Sequence, residues 1–193
     1  MKRVCVFCGS STGSRSDYTQ IAAATGEAIA RRGLGLVYGG GHVGLMGIAA
    51  DAAMRCGGEV IGVITEALRD REVAHEKLPH LHVVRTMHER KAKMAELSDA
   101  FLVLPGGIGT MEEFFEVWTW GQLGEHQKPV GVVNAASYFD SLIQFIGHME
   151  VEGFLKPKHR EMLIVRHTPT EVLDAFAEYE PPAVGKWITQ SET

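Results

Sequence analysis

One stretch, residues 101–113, constrains the fold of this chain more than any other. Residues 101–104 are apolar and predict a buried strand, which Pro105 ends because proline cannot donate to a β-ladder. Glycines follow at 106, 107 and 109, and the apolar-rich segment 110–123 predicts a helix. A strand, a glycine turn and a helix leave unbonded N–H groups at a positively polarised helix end. The stretch therefore predicts a binding site for an anion such as a phosphate.

Acidic residues stand directly after this turn. Glycine suits the turn because a Cβ would block an approaching phosphate or force a forbidden φ. Glu112 and Glu113 fall in the first turn of the predicted helix, where carboxylates repel a bound anion but suit chemistry a few ångströms away. Helical spacing places Glu113 and Glu116 on one face, while Glu112 points about 100° away from Glu113.

Short apolar runs alternate with helical periodicity along most of the chain. The predicted strands are 4–7, 34–38, 60–64, 81–84, 101–104, 130–133 and 163–165, and the predicted helices are 17–32, 44–55, 86–97, 110–123, 138–152 and 169–179. This alternation predicts an α/β fold with a Rossmann-like, doubly wound parallel sheet of about seven strands. We expect a single domain over residues 1–180 and a C-terminal tail at 181–193.

Composition excludes several classes of function. A formal net charge of −5 over 193 residues argues against binding to nucleic acid or to a membrane surface. Cys5 and Cys8 have the C-x-x-C spacing of metal and redox sites, but Cys5 lies in a strand-like run and there is no second cysteine pair. The favoured interpretation is two buried residues around a strand. The 9 histidines never form an H-x-x-x-H pair, and no run resembles a signal peptide or a membrane span. We expect a cytoplasmic protein without metal or cofactor.

A second glycine loop leaves an alternative open. Residues 39–44 satisfy G-x-G-x-x-G between a strand and a helix, which is typical of dinucleotide binding. Three observations count against dinucleotide binding. The loop follows the second strand rather than the first, and Glu66 lies past the usual place of the acid that binds the ribose. A dinucleotide-binding protein also has no need of the second glycine loop at 106–109. Gly9, Ser10, Gly40 and Gly41 also fall at strand ends, where open α/β sheets bind ligands.

Cations crowd the start of the predicted helix 86–97. A charge run usually marks a solvated face, but cations near a helix N-terminus oppose the helix dipole, and broken local rules are typical of functional sites. Arg90 can bind a phosphate or ribose hydroxyls through its planar guanidinium. Glu72 lies in a polar segment, 66–80, that predicts a loop or short irregular helices. By itself it is interpreted as a solvated carboxylate.

Four motifs together resemble one known family. They are Cys8-Gly-Ser-Ser11, Gly39-Gly-Gly41-x-x-Gly44-Leu-Met-Gly47, Met87-His-Glu-Arg90-Lys91 and Pro105-Gly-Gly-x-Gly-Thr-x-x-Glu113. In this order they are similar to the blocks of the Lonely Guy family of nucleoside 5′-monophosphate phosphoribohydrolases, long mislabelled as lysine decarboxylases. The resemblance spans residues 4–154.

The resemblance implies hydrolysis of an N-glycosidic bond, with adenine or an N6-prenylated adenine (a cytokinin) as the leaving base and ribose 5-phosphate as co-product. We expect Glu113 and Arg90 to be catalytic and Lys91 to help Arg90 offset the phosphate charge. The resemblance also makes Glu72 a substrate contact. The expected substrate-binding residues are Glu72, Lys91, Gly106, Gly107, Ile108, Gly109, Thr110, Met111, Glu112, Glu116, Thr119, Gly9, Ser10, Gly40 and Gly41.

Partners and rival functions follow from the same residues. The helix 110–123 is apolar nearly all round, which is typical of a helix buried in a core or shared between subunits, and we expect a homodimer with a shared active site. The main alternative is a non-catalytic carrier of a nucleotide or of molybdenum cofactor with the same fold, which would need the glycines but not Glu113. A lysine decarboxylase would need pyridoxal phosphate on a lysine, and Lys91 has no flanking motif for it.

Overall fold

Seven parallel strands form one sheet in the part of the chain that the structure describes. The structure is a computed structural model that describes residues 1–75 and 78–182, with only the backbone of Glu72 and Val73. The strands are β1 (Arg3–Phe7), β2 (Gly35–Tyr38), β3 (Val60–Thr65), β4 (His80–Val84), β5 (Ala100–Val103), β6 (Val130–Val133) and β7 (Leu163–Arg166).

Helices connect the strands. They are α1 (Ser16–Arg31), α2 (Gly44–Arg55), α3 (Glu66–Leu68), α4 (Met87–Glu96), α5 (Ile108–Leu123), α6 (Asp140–Val151), α7 (Pro157–Arg160) and α8 (Pro169–Ala177). A π-helical turn, Arg69–Val73, follows α3, and a 3₁₀ turn, Ala135–Ser137, precedes α6. The short irregular helices expected within 66–80 are thus confirmed.

The sheet order β4-β3-β2-β1-β5-β6-β7 confirms the doubly wound topology. Strand β1 pairs with β2 on one side and with β5 on the other, so the chain winds outward in both directions from this point. Open α/β sheets bind ligands in the crevice beyond the carboxyl ends of such a strand pair. The loops that follow β1 and β5 therefore occupy the position expected for a functional site.

A separate hydrophobic core covers each face of the sheet. Side chains of α1, α2 and α8 pack on one face, and those of α4, α5 and α6 pack on the other. Every residue of β2 and β5 is buried, which explains why these strands are continuous apolar runs. Cys5 and Cys8 are buried as expected, and burial raises the pKa of both thiols, which keeps them unreactive.

Two predicted helix starts are wrong by two residues. Helix α5 begins at Ile108 rather than at residue 110, because Gly107 already takes the N-cap position with an extended backbone. Helix α6 begins at Asp140 rather than at residue 138, because Ala136 and Ser137 adopt left-handed conformations with φ of 50° and 61°.

The end of the chain is described as far as residue 182. The predicted capping box of α8 is confirmed: Thr168 Oγ1 accepts from the Glu171 N–H at 3.3 Å, and the Glu171 carboxylate accepts from the Thr168 N–H at 2.9 Å. Helix α8 ends at Ala177, two residues before the predicted end. Residues 183–193 of the predicted tail lie outside the described residues. Among the described helices, none is long and apolar enough to cross a bilayer.

Helices α1 and α2 touch backbone to backbone. A Cβ on Gly26 of α1 would lie 2.1 Å from the Ala49 carbonyl oxygen and 2.9 Å from the Ala53 nitrogen of α2. These are backbone atoms, so a side chain at position 26 forces the two helices apart. Because α2 begins in the glycine loop after β2, this crossing also fixes the position of that loop.

Gly26→Ala is expected to lower the free energy of unfolding by about 1–3 kcal/mol, as overpacking does in other cores. Gly147→Ala is the matched control, because a Cβ at this position of α6 would meet no described atom within 4 Å. It is expected to raise the free energy of unfolding by up to about 1 kcal/mol, since alanine favours a helix. Urea denaturation measures both. Equal effects of the two substitutions would contradict the close crossing of α1 and α2.

Candidate functional site

The loops after β1 and β5 are bonded to each other at the reversal point of the sheet. The Gly9 N–H donates to the Pro105 carbonyl at 3.0 Å, and the Gly9 carbonyl accepts from the Leu45 N–H at 3.0 Å. A Cβ on Gly106 would lie 2.2 Å from Thr110 Oγ1 and 2.8 Å from the Gly9 nitrogen. Close packing thus requires glycine at position 106.

The N-terminus of α5 is open to solvent. Among the described residues, no side chain caps it, and the amides of Ile108, Gly109 and Thr110 belong to the first turn, which lacks intrahelical acceptors. A Cβ on Gly107 or Gly109 would meet no described atom within 4 Å. Neither glycine, nor Gly106, has a positive φ, so the expectation of a forbidden φ is wrong here. The missing side chains instead leave space for a group that approaches from outside.

Arg90 and Glu113 form a buried ion pair between α4 and α5. Arg90 Nη1 donates to Glu113 Oε1 at 3.0 Å, and Arg90 Nε donates to the Val63 carbonyl of β3 at 2.9 Å. The two side chains are 8% and 12% exposed. The two residues predicted to be catalytic therefore lie in direct contact. Because α5 begins earlier than predicted, Glu112 and Glu113 lie in its second turn.

Gly39 was missing from the predicted site residues, yet it makes room for the guanidinium. A Cβ on Gly39 would lie 2.0 Å from Arg90 Nη2. The run of three glycines at 39–41 is the feature of the sequence that could have indicated it, but only Gly40 and Gly41 were predicted to belong to the site. Gly40 has a φ of +73°, and Gly41 pairs with Ala74 in an isolated antiparallel bridge. The loop after β2 thus shapes the Arg90 side of the site.

The environment of Glu113 changes its acidity. Burial raises the pKa of the Glu113 carboxyl, and the charge and hydrogen bond of Arg90 oppose this without cancelling it. A carboxyl whose pKa is raised by burial beside a specific charged partner is typical of a functional site.

Lys91 is bound by two carboxylates of α5. Its Nζ donates to Glu112 and, at 3.0 Å, to Glu116 Oε1. Glu112 and Glu116 are neighbours because they lie four positions apart on the helix, so both reach Lys91, while the expected sharing of one cleft by Glu113 and Glu116 stays a prediction. Burial acts to lower the pKa of Lys91, but the hydrogen bonds to both carboxylates raise it overall. In this arrangement carboxylates, rather than a phosphate, compensate the charges of Lys91 and Arg90.

Other predicted site residues differ in their exposure. Ser10 is exposed in the loop after β1, Met111 is half-buried in α5, and Thr119 is exposed further along the same helix. Glu72 lies in the π-helical turn Arg69–Val73, and its side chain is outside the described part of the structure. The expected contact of Glu72 with substrate stays a prediction.

Two cavities lie at opposite edges of the sheet. One of about 270 Å³ opens at the carboxyl ends of the strands and is lined by Gly9, Ser10, Gly106 and Tyr138, among others. The other, of about 360 Å³, lies where the strands begin, beside Arg3. We assign function to the smaller cavity, because doubly wound sheets bind ligands at the carboxyl edge.

Comparisons with known proteins identify the family. A family described as "Possible lysine decarboxylase" matches residues 46–176. A rice protein (Oryza sativa subsp. japonica) named a probable cytokinin riboside 5′-monophosphate phosphoribohydrolase is 47% identical over 181 residues, which are 94% of this chain and 74% of the relative. An Arabidopsis thaliana protein named cytokinin riboside 5′-monophosphate phosphoribohydrolase is 46% identical over 180 residues, 93% of this chain and 84% of the relative. This chain belongs to the Lonely Guy family.

A similarity in structure extends beyond the Lonely Guy family. The molybdenum cofactor binding protein of the phototrophic bacterium Rippkaea orientalis superposes with a TM-score of 0.70 over 92% of this chain and 97% of its own, at 19% identity. At this identity the likeness shows a shared fold and no more.

The four Lonely Guy motifs of the sequence belong to neighbouring segments of the structure. The residues at 8–11 and 105–113 are joined through Gly9 and Pro105, and the residues at 39–47 and 87–91 meet where Gly39 adjoins Arg90. Glu113 connects the two halves through its ion pair with Arg90. The motifs are thus in contact with one another at the carboxyl edge of the sheet.

The pKa of Glu113 provides a test of this geometry. We expect its carboxyl to titrate above 4.5, its ordinary value, because burial disfavours the charged form. Arg90→Met is expected to raise that pKa further, because the guanidinium charge favours the carboxylate. Lys93→Met, which removes a cation of α4 paired with Glu96, is the control and should leave it unchanged. Carbon-13 NMR titration, with the signal assigned through Glu113→Gln, measures the midpoints. A lower midpoint in Arg90→Met would contradict the ion pair.

Proposed function

We propose that the protein hydrolyses the N-glycosidic bond of nucleoside 5′-monophosphates and releases the free base and ribose 5-phosphate. The observation that carries this proposal is the position of the buried Glu113–Arg90 pair on the helix whose N-terminus is open. A rise of about 1.5 Å per residue puts Glu113 about 6 Å further along α5 than Gly109. A phosphate at the N-terminus would thus leave its sugar beside the carboxylate.

The proposed chemistry uses this separation. As the bond between the sugar and the base breaks, the base leaves with the electron pair and takes up a proton, and the ribose acquires oxocarbenium character. The Glu113 carboxylate stabilises that charge and orients the water whose oxygen bonds to the anomeric carbon, and the proton that this water loses balances the one that the base takes up. Arg90 holds the carboxylate in place. Binding of the remote phosphate contributes energy that fixes the ribose in position.

Neighbouring carboxylates provide further contacts for the sugar. In the described part of the chain, Glu116 Oε2 is buried and has no hydrogen-bond partner. A buried acceptor without a donor is costly, so a ribose hydroxyl is a suitable partner for it. The names of the relatives favour a cytokinin nucleotide as substrate, and AMP is the simplest nucleotide that satisfies the same contacts.

The surroundings of Lys91 disfavour the decarboxylase activity that the family description mentions. A lysine that forms a Schiff base with pyridoxal phosphate must lose its proton, which a lowered pKa promotes. The two carboxylates that bind Lys91 raise its pKa instead. A carrier function remains the alternative, and it requires the open N-terminus of α5 but not a buried acid at position 113.

A panel of nucleotides tests the proposal. The protein is expected to release base from AMP and from isopentenyladenosine 5′-monophosphate, but not from the corresponding nucleosides, because these lack the anchoring phosphate. Glu113→Gln should lower the rate at least about 100-fold without unfolding the protein. Glu161→Gln, at an exposed position, is the matched control and should keep the wild-type rate.

Two outcomes of this assay would count against the proposal. Cleavage of nucleosides as fast as of nucleotides would remove the anchoring role of the phosphate. Tight nucleotide binding without release of base, in both the wild type and Glu113→Gln, would favour the carrier.

We further propose that the protein is a homodimer that pairs through α5. Ile108, Phe115, Thr119 and Leu123 share one face of this helix, and Ile108 and Leu123 are 90% and 63% exposed. Large exposed apolar side chains on one face are typical of an interaction surface. Because Ile108 lies at the open N-terminus, a second copy on this face would cover the anion site, so that the two subunits share it.

Light scattering tests the dimer. The wild type should have twice the mass of the 21.1 kDa chain, and Leu123→Glu should have the mass of one chain because a charge replaces a buried contact. Val151→Glu, at an 83% exposed position of α6, is the control and should stay dimeric. A wild-type mass of one chain would exclude the dimer.

A further inference from the structure

Tyr138 reaches from the loop before α6 to the glycine turn before α5. Its hydroxyl donates to the Gly106 carbonyl oxygen at 2.6 Å, across 32 residues of sequence. Its ring meets the edge of Tyr18, with 5.5 Å between the ring centroids. Tyr138 is 41% exposed, so solvent could satisfy the hydroxyl if this bond were absent. The contact with Gly106 therefore calls for an explanation other than burial.

The backbone that presents Tyr138 is held in an unusual conformation. Ala136 and Ser137, directly before it, both have left-handed φ angles, which residues with a side chain rarely adopt. Directly after it, Asn134 Oδ1 accepts from the Phe139 N–H at 2.8 Å. These features constrain the backbone on both sides of Tyr138, whose hydroxyl lies at the glycine turn.

The bond to Gly106 determines where the next N–H points. The Gly106 carbonyl and the Gly107 N–H belong to one planar peptide unit and point in opposite directions when the unit is trans. Glycine on both sides gives this unit the greatest freedom to rotate. A half-turn would exchange the two groups and direct a carbonyl oxygen, which repels anions, to the side that the N–H had faced. The bond from Tyr138 holds the carbonyl and so prevents this rotation.

We propose that Tyr138 is a positioning residue for phosphate recognition, which keeps the Gly107 N–H rather than the Gly106 carbonyl directed at the bound phosphate. The inference rests on the proposed function for its substrate, a nucleoside 5′-monophosphate. It assigns to Tyr138 an effect on the anchoring of the phosphate and none on the chemistry at Glu113. The next peptide unit along the chain is also held by a hydrogen bond to its carbonyl: the Met111 N–H donates to the Gly107 carbonyl at 3.1 Å, which is the first helical bond of α5.

Tyr138→Phe tests the inference, because it removes only the hydroxyl and leaves the ring against Tyr18. We expect KM for AMP to rise about three- to tenfold, the usual effect of one lost hydrogen bond, while kcat stays within about twofold. We also expect inorganic phosphate to raise the Tm of the variant less than that of the wild type, because ligand stabilisation depends on affinity. Tyr179→Phe, which removes a tyrosine hydroxyl that does not line the cavity beside Gly106, is the control and should match the wild type in both measurements.

Two other outcomes would overturn the inference, and a third separates it from the proposed function. An unchanged KM with unchanged protection by phosphate would overturn the inference, even if the Tm without phosphate falls. A fall in kcat at constant KM would also overturn it, since Tyr138 would then act on the chemistry. If wild-type protein binds phosphate but cleaves no nucleotide, the proposed function fails, and a loss of phosphate protection in Tyr138→Phe would still support the positioning role.

Discussion

The buried ion pair between Arg90 and Glu113 is the interaction on which the rest of the site depends. A charge with so little exposure is tolerated only when it is paired, and removal of one partner from a buried pair typically costs about 3–5 kcal/mol. Arg90 is therefore held from three sides: by Glu113, by the Val63 carbonyl and by the backbone at Gly39. Strand β3, the loop after β2 and helices α4 and α5 must all be in place before the pair can form.

The fold contributes to the proposed function by bringing these elements together at one edge of the sheet. Parallel strands bring their carboxyl ends to one edge, so segments far apart in sequence meet there without long connections. The edge offers two unlike environments: the exposed N-terminus of α5, and the enclosed carboxylate of Glu113. In the proposed reaction the first environment binds the phosphate, and the second stabilises the developing positive charge. Because proteins of the same fold serve other purposes, the acid rather than the glycine turn sets the proposed chemistry apart.

Features encoded by neighbouring residues were predictable from the sequence. The buried strands followed from continuous apolar runs, and the doubly wound parallel sheet followed from their alternation with helices. The glycine turn and the two residues of the ion pair followed from motifs and from the family resemblance. Helix starts were less certain, because Gly107 can cap α5 without a side chain, and nothing in the sequence marks Ala136 and Ser137 as left-handed.

Contacts between distant segments were not predictable in the same way. The grouping of Glu112 with Glu116 depends on where Lys91 of α4 meets α5, and helical spacing alone favoured Glu116 with Glu113. Gly39 is needed because of the path of one guanidinium, and Tyr138 is significant because it meets a carbonyl 32 residues away. Each of these features depends on how closely two elements approach each other, which the periodicity of the sequence does not encode.

A crystal structure of Glu113→Gln with bound AMP tests the central claim most directly. The claim predicts the 5′-phosphate on the amides of residues 107–110 and the anomeric carbon beside the side chain at position 113. A nucleotide bound elsewhere, or bound here with its sugar directed away from residue 113, would contradict it.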